Sequence, residues 1–521
     1  MDRKWWTLTA VSAGVFMLLL DITIVNVALP DIEHAMNASL SDLQWVINAY
    51  ALSLAALLLT AGSLADLLGR RRVFAIGVAV FTAGSLLCAT ADSSLFLILS
   101  RAFQGIGGAV MFATSLALIA NAFRGKDRGI AFGVFGAVTG IAVAVGPVLG
   151  GVIVSGLSWR WIFIVNIPIG IATIAAILLR VDESRDPRAK RPDVLGFVTF
   201  SAGLFALIYG LIESNTHGWG STLVVGSLVA AGVLLAAFVV VELLQRSPMF
   251  DFSLLRKPTF VGGLTSAFAI NGGLFALLTF LVLYLQNVLG YSAVETGVRL
   301  LALTGAIFFT AGLAGRLSSH VPTRFLIAPG FVLVGVGLLL MRGLSASSDW
   351  THLLPGMIVA GAGAGLVNVP LASTAVGVVE PARAGMASGI NSTLRQVGTA
   401  TGIAALGSIF ATTVRDTVTS SLAGTPVAGH AHAIADAVAG GGASGAIAGT
   451  PAAAQAAVAH AARTGFVDGL NEILLVGAIV VFAAAALALV LIRQRDYVTE
   501  EAEAAPVPAD RPRVVAPSPA G

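Results

Sequence analysis

Few residues in this sequence could do chemistry, and the ones that could are buried in long apolar runs. Asp21 lies in Leu20-Asp-Ile-Thr-Ile-Val-Asn-Val-Ala-Leu-Pro30. A carboxylate inside a membrane span costs about 2.5–3.5 kcal/mol, so it is expected to face a cavity or a partner. There it can bind and release a proton, or hold a cationic substrate. The competing reading is a carboxylate wetted or salt-bridged near the outer end of its helix. Arg101, in Ser100-Arg-Ala-Phe-Gln-Gly-Ile-Gly-Gly-Ala109, keeps its charge everywhere and inside a bundle needs a carboxylate or carbonyl partner. Asp21 is one candidate, and at the membrane edge the same arginine would snorkel to water instead. Asn26, Gln104, Asn271, Asn368, Arg395 and Gln396 are candidates to line a substrate cavity. Interhelical hydrogen bonds account for such residues equally well.

Two glycine-containing stretches add mechanical roles. Gly62-Ser-Leu-Ala-Asp-Leu-Leu-Gly-Arg-Arg-Arg72 lies between two apolar runs. Gly62 and Gly69 are expected to allow a tight link between helices, with Asp66 within reach of Arg70 and Arg71. In Gly140-Ile-Ala-Val-Ala-Val-Gly-Pro-Val-Leu-Gly-Gly151, the residues Gly140, Gly146, Gly150 and Gly151 leave a smooth surface. Pro147 removes a backbone donor and bends the helix. Enzyme chemistry lacks a comparable constellation. The seven histidines show no metal-ligand spacing beyond His430-x-His432 in a loop, and no phosphate-cradling Gly-Lys-Ser/Thr loop is present. No cofactor is expected.

The elements that must hold these residues follow from composition. Of 521 residues, 57% are hydrophobic and 11% charged, with a mean hydropathy of +0.91, whereas soluble domains carry about 25% charged residues. This is an all-α membrane protein by composition. The net charge of +3 is too small and too dispersed for nucleic acid. The single cysteine, Cys88, excludes an internal disulfide. Asp21 in the first run argues against a cleavable signal peptide.

Runs of about 20 apolar residues cross the ~30 Å hydrocarbon layer. Fourteen are readable: 6–29, 44–64, 73–91, 95–119, 130–154, 161–179, 194–213, 222–243, 259–285, 297–315, 324–341, 353–376, 386–411 and 467–491. Lys and Arg concentrate in alternate connections, leaving only Arg160, Arg342, Arg415 and Arg463 on the other side. By the positive-inside rule both termini are cytoplasmic. A degraded echo of the 61–72 segment at 311–324 suggests two six-helix bundles, 1–180 and 259–495. Between them, 181–258 is a linker with an inserted helix pair. Residues 412–466 read as a long outer loop with a short surface helix at 451–463, and 496–521 as a disordered cytoplasmic tail.

The 62–72 stretch resembles the loop motif of the major facilitator superfamily, and Arg101 sits in a pattern similar to its fourth-helix motif. The Gly-Pro-x-x-Gly-Gly order at 146–151 is similar to the motif that separates antiporters from uptake members. With Gln44-Trp-Val-Ile-Asn-Ala-Tyr50, Trp159-Arg-Trp-Ile-Phe-Ile-Val-Asn-Ile-Pro-Ile-Gly170 and Asn391-Ser-Thr-Leu-Arg-Gln-Val-Gly398, the chain resembles the fourteen-span drug:proton antiporter family. The resemblance implies a monomeric exporter of the inner cell membrane, exchanging protons for amphipathic, often cationic, drugs and dyes. It implies Asp21 and Arg101 in proton coupling and a conformational latch at Gly62, Asp66, Gly69, Arg70 and Arg71. Export of a metabolite made by the same cell and, on the same fold, proton-driven uptake are the alternatives.

Overall fold

Apolar runs of this length become helices because only a helix satisfies every backbone N–H and C=O within its own segment in a lipid environment. The computed structural model describes residues 2–123, 126–185, 193–245, 248, 250, 252–318, 321–379 and 384–497. Among them there is no strand. The first group of helices comprises α1 (Arg3–Met36), α2 (Leu40–Leu68), α3 (Arg70–Ala89), α4 (Ser94–Ala122), α5 (Lys126–Gly156), α6 (Trp161–Ile164) and α7 (Asn166–Arg180). A hairpin of α8 (Val194–His217) and α9 (Thr222–Leu244) follows. The second group begins with α10 (Pro258–Ile270), α11 (Leu277–Leu283), α12 (Ala293–Leu317), α13 (Arg324–Met341) and α14 (Leu354–Gly377). It ends with α15 (Ala384–Ser421), α16 (Ala431–Ala439), α17 (Ala443–Ala448) and α18 (Ala452–Leu491).

Local chemistry sets the breaks. Asn37 takes a left-handed conformation at the end of α1. Ser39 and Asp42 then cap α2 reciprocally, each side chain bonding the other's backbone N–H. Ser292 and Glu295 do the same for α12. Glu295 is thereby occupied, and Arg299 lies over the Tyr291 ring, 3.6 Å from its centroid, instead of pairing with that carboxylate. The ninth apolar run is interrupted by wide turns at Asn271–Phe275 and Tyr284–Val288, where Ala276 N donates to Asn271 O and Leu289 N to Tyr284 O. Such i→i+5 turns recur at functional sites.

Among the described residues thirteen helical stretches are long and apolar enough to cross a membrane, and the 29-residue α2 lies between the first two of them. The segment 412–466 differs from the expected loop. Helix α15 continues to Ser421, α16 and α17 fill the reversal, and 451–463 is the start of the forty-residue α18. Alanine is the best helix former, and the glycines at 440–442 and 449 break the helix only at the turns. Gly465 and Gly469 let α18 pack against Val414, Val418 and Phe410 of α15, which carries both helices beyond the expected ends.

Within the first group α1 packs on α4, α5 and α7, and α2 and α3 pack on α4. Within the second group α14 packs on α12 and α13, and α18 packs on α13 and α15. The groups meet along two seams, α2 with α15 and α5 with α12. Helix α8 crosses the first seam, burying Leu204, Ile208 and Ile212 against Ala51 and Leu52 of α2 and Ala400 and Ala404 of α15. Helix α9 has only 17% of its apolar stretch buried, so it is the face left for lipid.

Candidate functional site

Helices α1, α3, α4 and α7 converge on Asp21, whose side chain has no solvent exposure. Arg101 Nη1 donates to Asp21 Oδ2 at 2.5 Å and to Gln104 Oε1 at 2.6 Å. Gln104 Nε2 donates to Asp21 Oδ1 (2.9 Å) and to Ser85 Oγ (2.8 Å). Asn166 Nδ2 donates to the same Asp21 oxygen at 3.1 Å and to Ser85 at 3.3 Å. Arg101 Nε reaches Val46 O (3.2 Å), and its guanidinium lies 4.2 Å from the Tyr50 ring centroid. All of Asp21's partners are N–H donors, so the box fits a carboxylate. The Asn166 Oδ1 acceptor and the Tyr50 Oη are buried without partners, leaving hydrogen-bonding capacity that this charge state does not use.

This geometry bears on the two readings of each residue. Arg101 is 2% exposed, so it does not snorkel; Asp21 is neither wetted nor at a helix end, but it is salt-bridged, as its competing reading also had it. Gln104, expected to line the substrate cavity, instead belongs to the box and has no exposure. The reason is spacing: residues three apart on a helix share a face, so Arg101 brings Gln104 with it. Asn166 joins from the first residue of α7, which packs on α1 and α3.

Beyond the box, a cavity of ≈ 40 Å³ lies between the helix groups, lined by Thr23, Asn26, Pro147, Phe275, Leu300 and Thr304 among others. Asn26 Oδ1 accepts from Thr279 Oγ1 of α11 at 3.1 Å, so this candidate does face the space between the groups. Asn271, Asn368 and Arg395 gather elsewhere, on the second group alone. Arg395 Nη1 donates to Asn368 Oδ1 (3.1 Å), and Thr399 Oγ1 lies 3.5 Å from Asn271 Oδ1. Gln396 is half-buried beside them. Among the described residues no group of three or more His, Cys, Asp or Glu side chains could hold a metal ion.

The glycine motif of α5 packs in two directions. A Cβ on Gly146 would strike Thr23, and one on Gly150 would lie 2.8 Å from Ile24 Cγ1, both on α1. A Cβ on Gly151 would strike Ala293 O and lie 2.7 Å from Val294 Cα of α12. Gly297 of α12 lies as close to the Pro147 carbonyl. Gly140 makes only ordinary contact, 3.8 Å from Phe308. The α5–α12 seam is therefore tight at one end, and at the other Gly312 has nothing within 4 Å. The α2–α15 seam repeats this. Gly407 is pressed on Gln44, Thr393 Oγ1 is 3.5 Å from Ala55 O, and Gly62 has open space. At the tight end Leu40 N also donates to Gly440 O (2.7 Å) and Asn287 Nδ2 to Glu33 Oε2 (2.9 Å).

A profile described as Major Facilitator Superfamily matches residues 11–403. The chain belongs to that superfamily. Multidrug resistance protein Stp of Mycobacterium tuberculosis (strain CDC 1551 / Oshkosh) is 37% identical over 406 residues, 78% of this chain and 75% of that one. The tetracenomycin C resistance and export protein of Streptomyces glaucescens is 34% identical over 516 residues, 97% and 95% of the two chains. A bacterial homologue of the human lysosomal transporter Spinster, solved inward-facing and unoccupied, matches with a TM-score of 0.60 and 18% identity, covering 95% of this chain and 99% of that one. At that identity the likeness is one of fold. This superfamily member is a multi-pass membrane transporter of small molecules, not an enzyme.

The superfamily's loop motif is built differently from the sequence expectation. Gly62 lies within α2 rather than at the link, and the Asp66 side chain lies outside the described residues. Gly69 alone makes the turn, with φ +110°, and its missing Cβ admits the Glu183 carboxylate, whose Cδ would lie 2.7 Å away. Glu183 Oε1 accepts from Arg71 N at 3.0 Å, and Glu183 Oε2 lies 3.6 Å from Arg72 Nε. Arg71 Nη1 donates to Val181 O, and Arg70 N to Ser184 O. Glu183 is the residue that sequence reasoning missed. Its only signal was the Asp182-Glu183 pair of acids beside the basic residues after Arg180.

Proposed function

We propose that this transporter exports small amphipathic compounds (drugs, dyes and antibiotics) across the cytoplasmic membrane in exchange for protons, by alternating access. The observation that carries the reading is that α1 holds the proton site and the moving contact together. Asp21 is sealed against Arg101, and two and three residues on, Thr23 and Ile24 press on the α5 glycines. Protonating Asp21 would remove the charge that holds Arg101 and let Asn166 turn its free acceptor toward the new O–H. The rearranged α1 would then shift α5 against α12. The names of the relatives, resistance and export proteins, support outward transport.

In this reading α2 is the fourteenth span, both termini are cytoplasmic, and 1–180 and 259–495 are the two moving halves of a monomer, with 181–258 inserted. The end that bears Arg70, Arg71 and Arg72 is then cytoplasmic, and the tight seams at the opposite end make the state inward-open. A cationic cargo would have to displace Arg101 from Asp21, so that preference rests on the family resemblance alone. Export of a self-made metabolite is the second reading, favoured by the tetracenomycin C exporter's match over 97% of this chain.

The test is gradient-driven dye movement in proteoliposomes, acid on the outer face, comparing the natural chain with Asp21→Asn. Movement that needs the gradient and disappears in the variant supports proton exchange through Asp21. Gradient-driven movement that survives in Asp21→Asn removes Asp21 from the proton path.

A further inference from the structure

Two arginines in the helix interiors, Arg101 and Arg395, are not equivalent. Arg101 is matched by a carboxylate, whereas Arg395 has only the neutral Asn368 amide. Arg395 stands eleven residues into α15, about 16 Å along its axis, which is near mid-depth of the hydrocarbon layer. Asn271 is thirteen residues into the run that begins at Pro258, about 20 Å from the same end. An arginine cannot shed its proton, and an uncompensated charge at that depth is costly. Yet among the described residues no carboxylate pairs with Arg395. Its side chain is half-buried rather than enclosed, and one of its five N–H donors is taken up by Asn368.

The neighbouring backbone packs closely at this point and supplies no countercharge. The wide turn at Asn271–Phe275 separates α10 from α11, and Gly272 faces Gly398 of α15 across bare backbone. Thr399, one turn from Arg395 on the same face, turns its hydroxyl toward Asn271. The result is a fork of N–H donors with neutral amide and hydroxyl neighbours, on three helices of the second group. Meanwhile Asp21 is already paired with Arg101, so it does not offset the charge of Arg395.

We propose that Arg395 is a specificity residue that binds an anionic group of the cargo (carboxylate, enolate, sulfonate or phosphate), so that acidic or zwitterionic amphiphiles are preferred over cations. The proposal rests on the export reading above and names the cargo's charge. A free inorganic anion offers the same chemistry, and the experiment separates the two sources.

The test uses the full chain in nanodiscs and a matched probe pair, 8-anilinonaphthalene-1-sulfonate and neutral N-phenyl-1-naphthylamine, with empty nanodiscs subtracted. Arg395→Gln keeps a partner for Asn368 and removes the charge, and Arg395→Lys keeps the charge and removes the fork. The expected result is a loss of about ten-fold or more in sulfonate affinity for Arg395→Gln. Less than two-fold change is expected for the neutral probe, and an intermediate value for Arg395→Lys. Replacing gluconate with chloride or sulfate identifies the source. Competition with the sulfonate at millimolar levels means a free anion occupies the site at rest, and insensitivity means it is kept for cargo; both support the anion site. Equal losses for both probes, or no loss for either, overturn it and leave Arg395 as a packing residue. Gradient-driven transport of the neutral probe is followed in parallel. Transport of the sulfonate is followed beside it, and if the natural chain moves neither probe, the export reading fails while the affinity comparison still decides on the anion site.

Discussion

Gly151→Ala is expected to drive α5 and α12 apart at their tight end. The added Cβ would lie 2.7 Å from Val294 Cα and closer still to the Ala293 carbonyl, against an ordinary contact of 3.4–4 Å. The helices must therefore separate by about 0.7 Å or more, the difference between 3.4 and 2.7 Å. Both obstacles are backbone, so no side chain can turn away. Overpacking of this kind costs about 1–3 kcal/mol, which shifts a two-state equilibrium by about 5- to 150-fold. The readout is Ala293→Cys, a buried position in the contact, placed in a Cys88→Ala background. Its reaction with a membrane-impermeant maleimide should accelerate by that factor when Gly151→Ala is added. Gly140→Ala, in the same motif but with its nearest atom at 3.8 Å, should leave the rate unchanged. If Gly151→Ala leaves labelling of a folded protein unchanged, or Gly140→Ala matches it, the seam is not a two-position contact.

Three further outcomes follow from the same geometry. Asp21→Asn strands Arg101, and breaking a buried pair in this way costs about 3–5 kcal/mol. Adding Arg101→Gln should recover much of the loss in unfolding temperature, whereas strictly additive losses would mean the pair is not what holds the box. Asn48 is fully buried with neither amide atom partnered, one turn from Gln44 on α2. Asn48→Leu should stabilise this state by about 1–3 kcal/mol and slow turnover; a lower unfolding temperature would refute it. Glu183→Gln removes the anion from the start of α3 and from Arg71 and Arg72, worth about 0.3–1 kcal/mol at a partly exposed helix terminus. Trypsin should then cut at Arg185 about two- to five-fold faster, and unchanged cleavage would show that the backbone bonds at Val181 and Ser184 suffice.

How much of this was legible beforehand varied with the kind of contact involved. Most apolar spans were, and Asp21 was legible as one candidate partner of Arg101, because apolar length and buried charge are properties of the residues themselves; the count of fourteen and the ends of α15 and α18 were not. Gln104 was assigned to the cavity although its spacing from Arg101 pointed to the box, and the i,i+3 relation was the unused signal. Asn166 stood in the sequence only as part of the 159–170 stretch, because its place in the box depends on how that helix packs against α1 and α3. Glu183 could not be found from spacing, since its contact with Gly69 needs the chain to return from α7 to the start of α3. The 412–466 segment misled because glycine and alanine were weighed together. The alanines build helices, and the glycines only punctuate them.

The sealed setting of Asp21 also bears on what the protein costs its cell when nothing needs moving. A membrane carboxylate open to both waters in turn is a leak, since it would ferry protons inward and run down the gradient that other machines use. Here the carboxylate has no solvent exposure, and Arg101 donates to it. Under the proposed proton exchange, an idle copy in this state holds the gradient rather than dissipating it, and many copies can stand ready in one membrane at little expense.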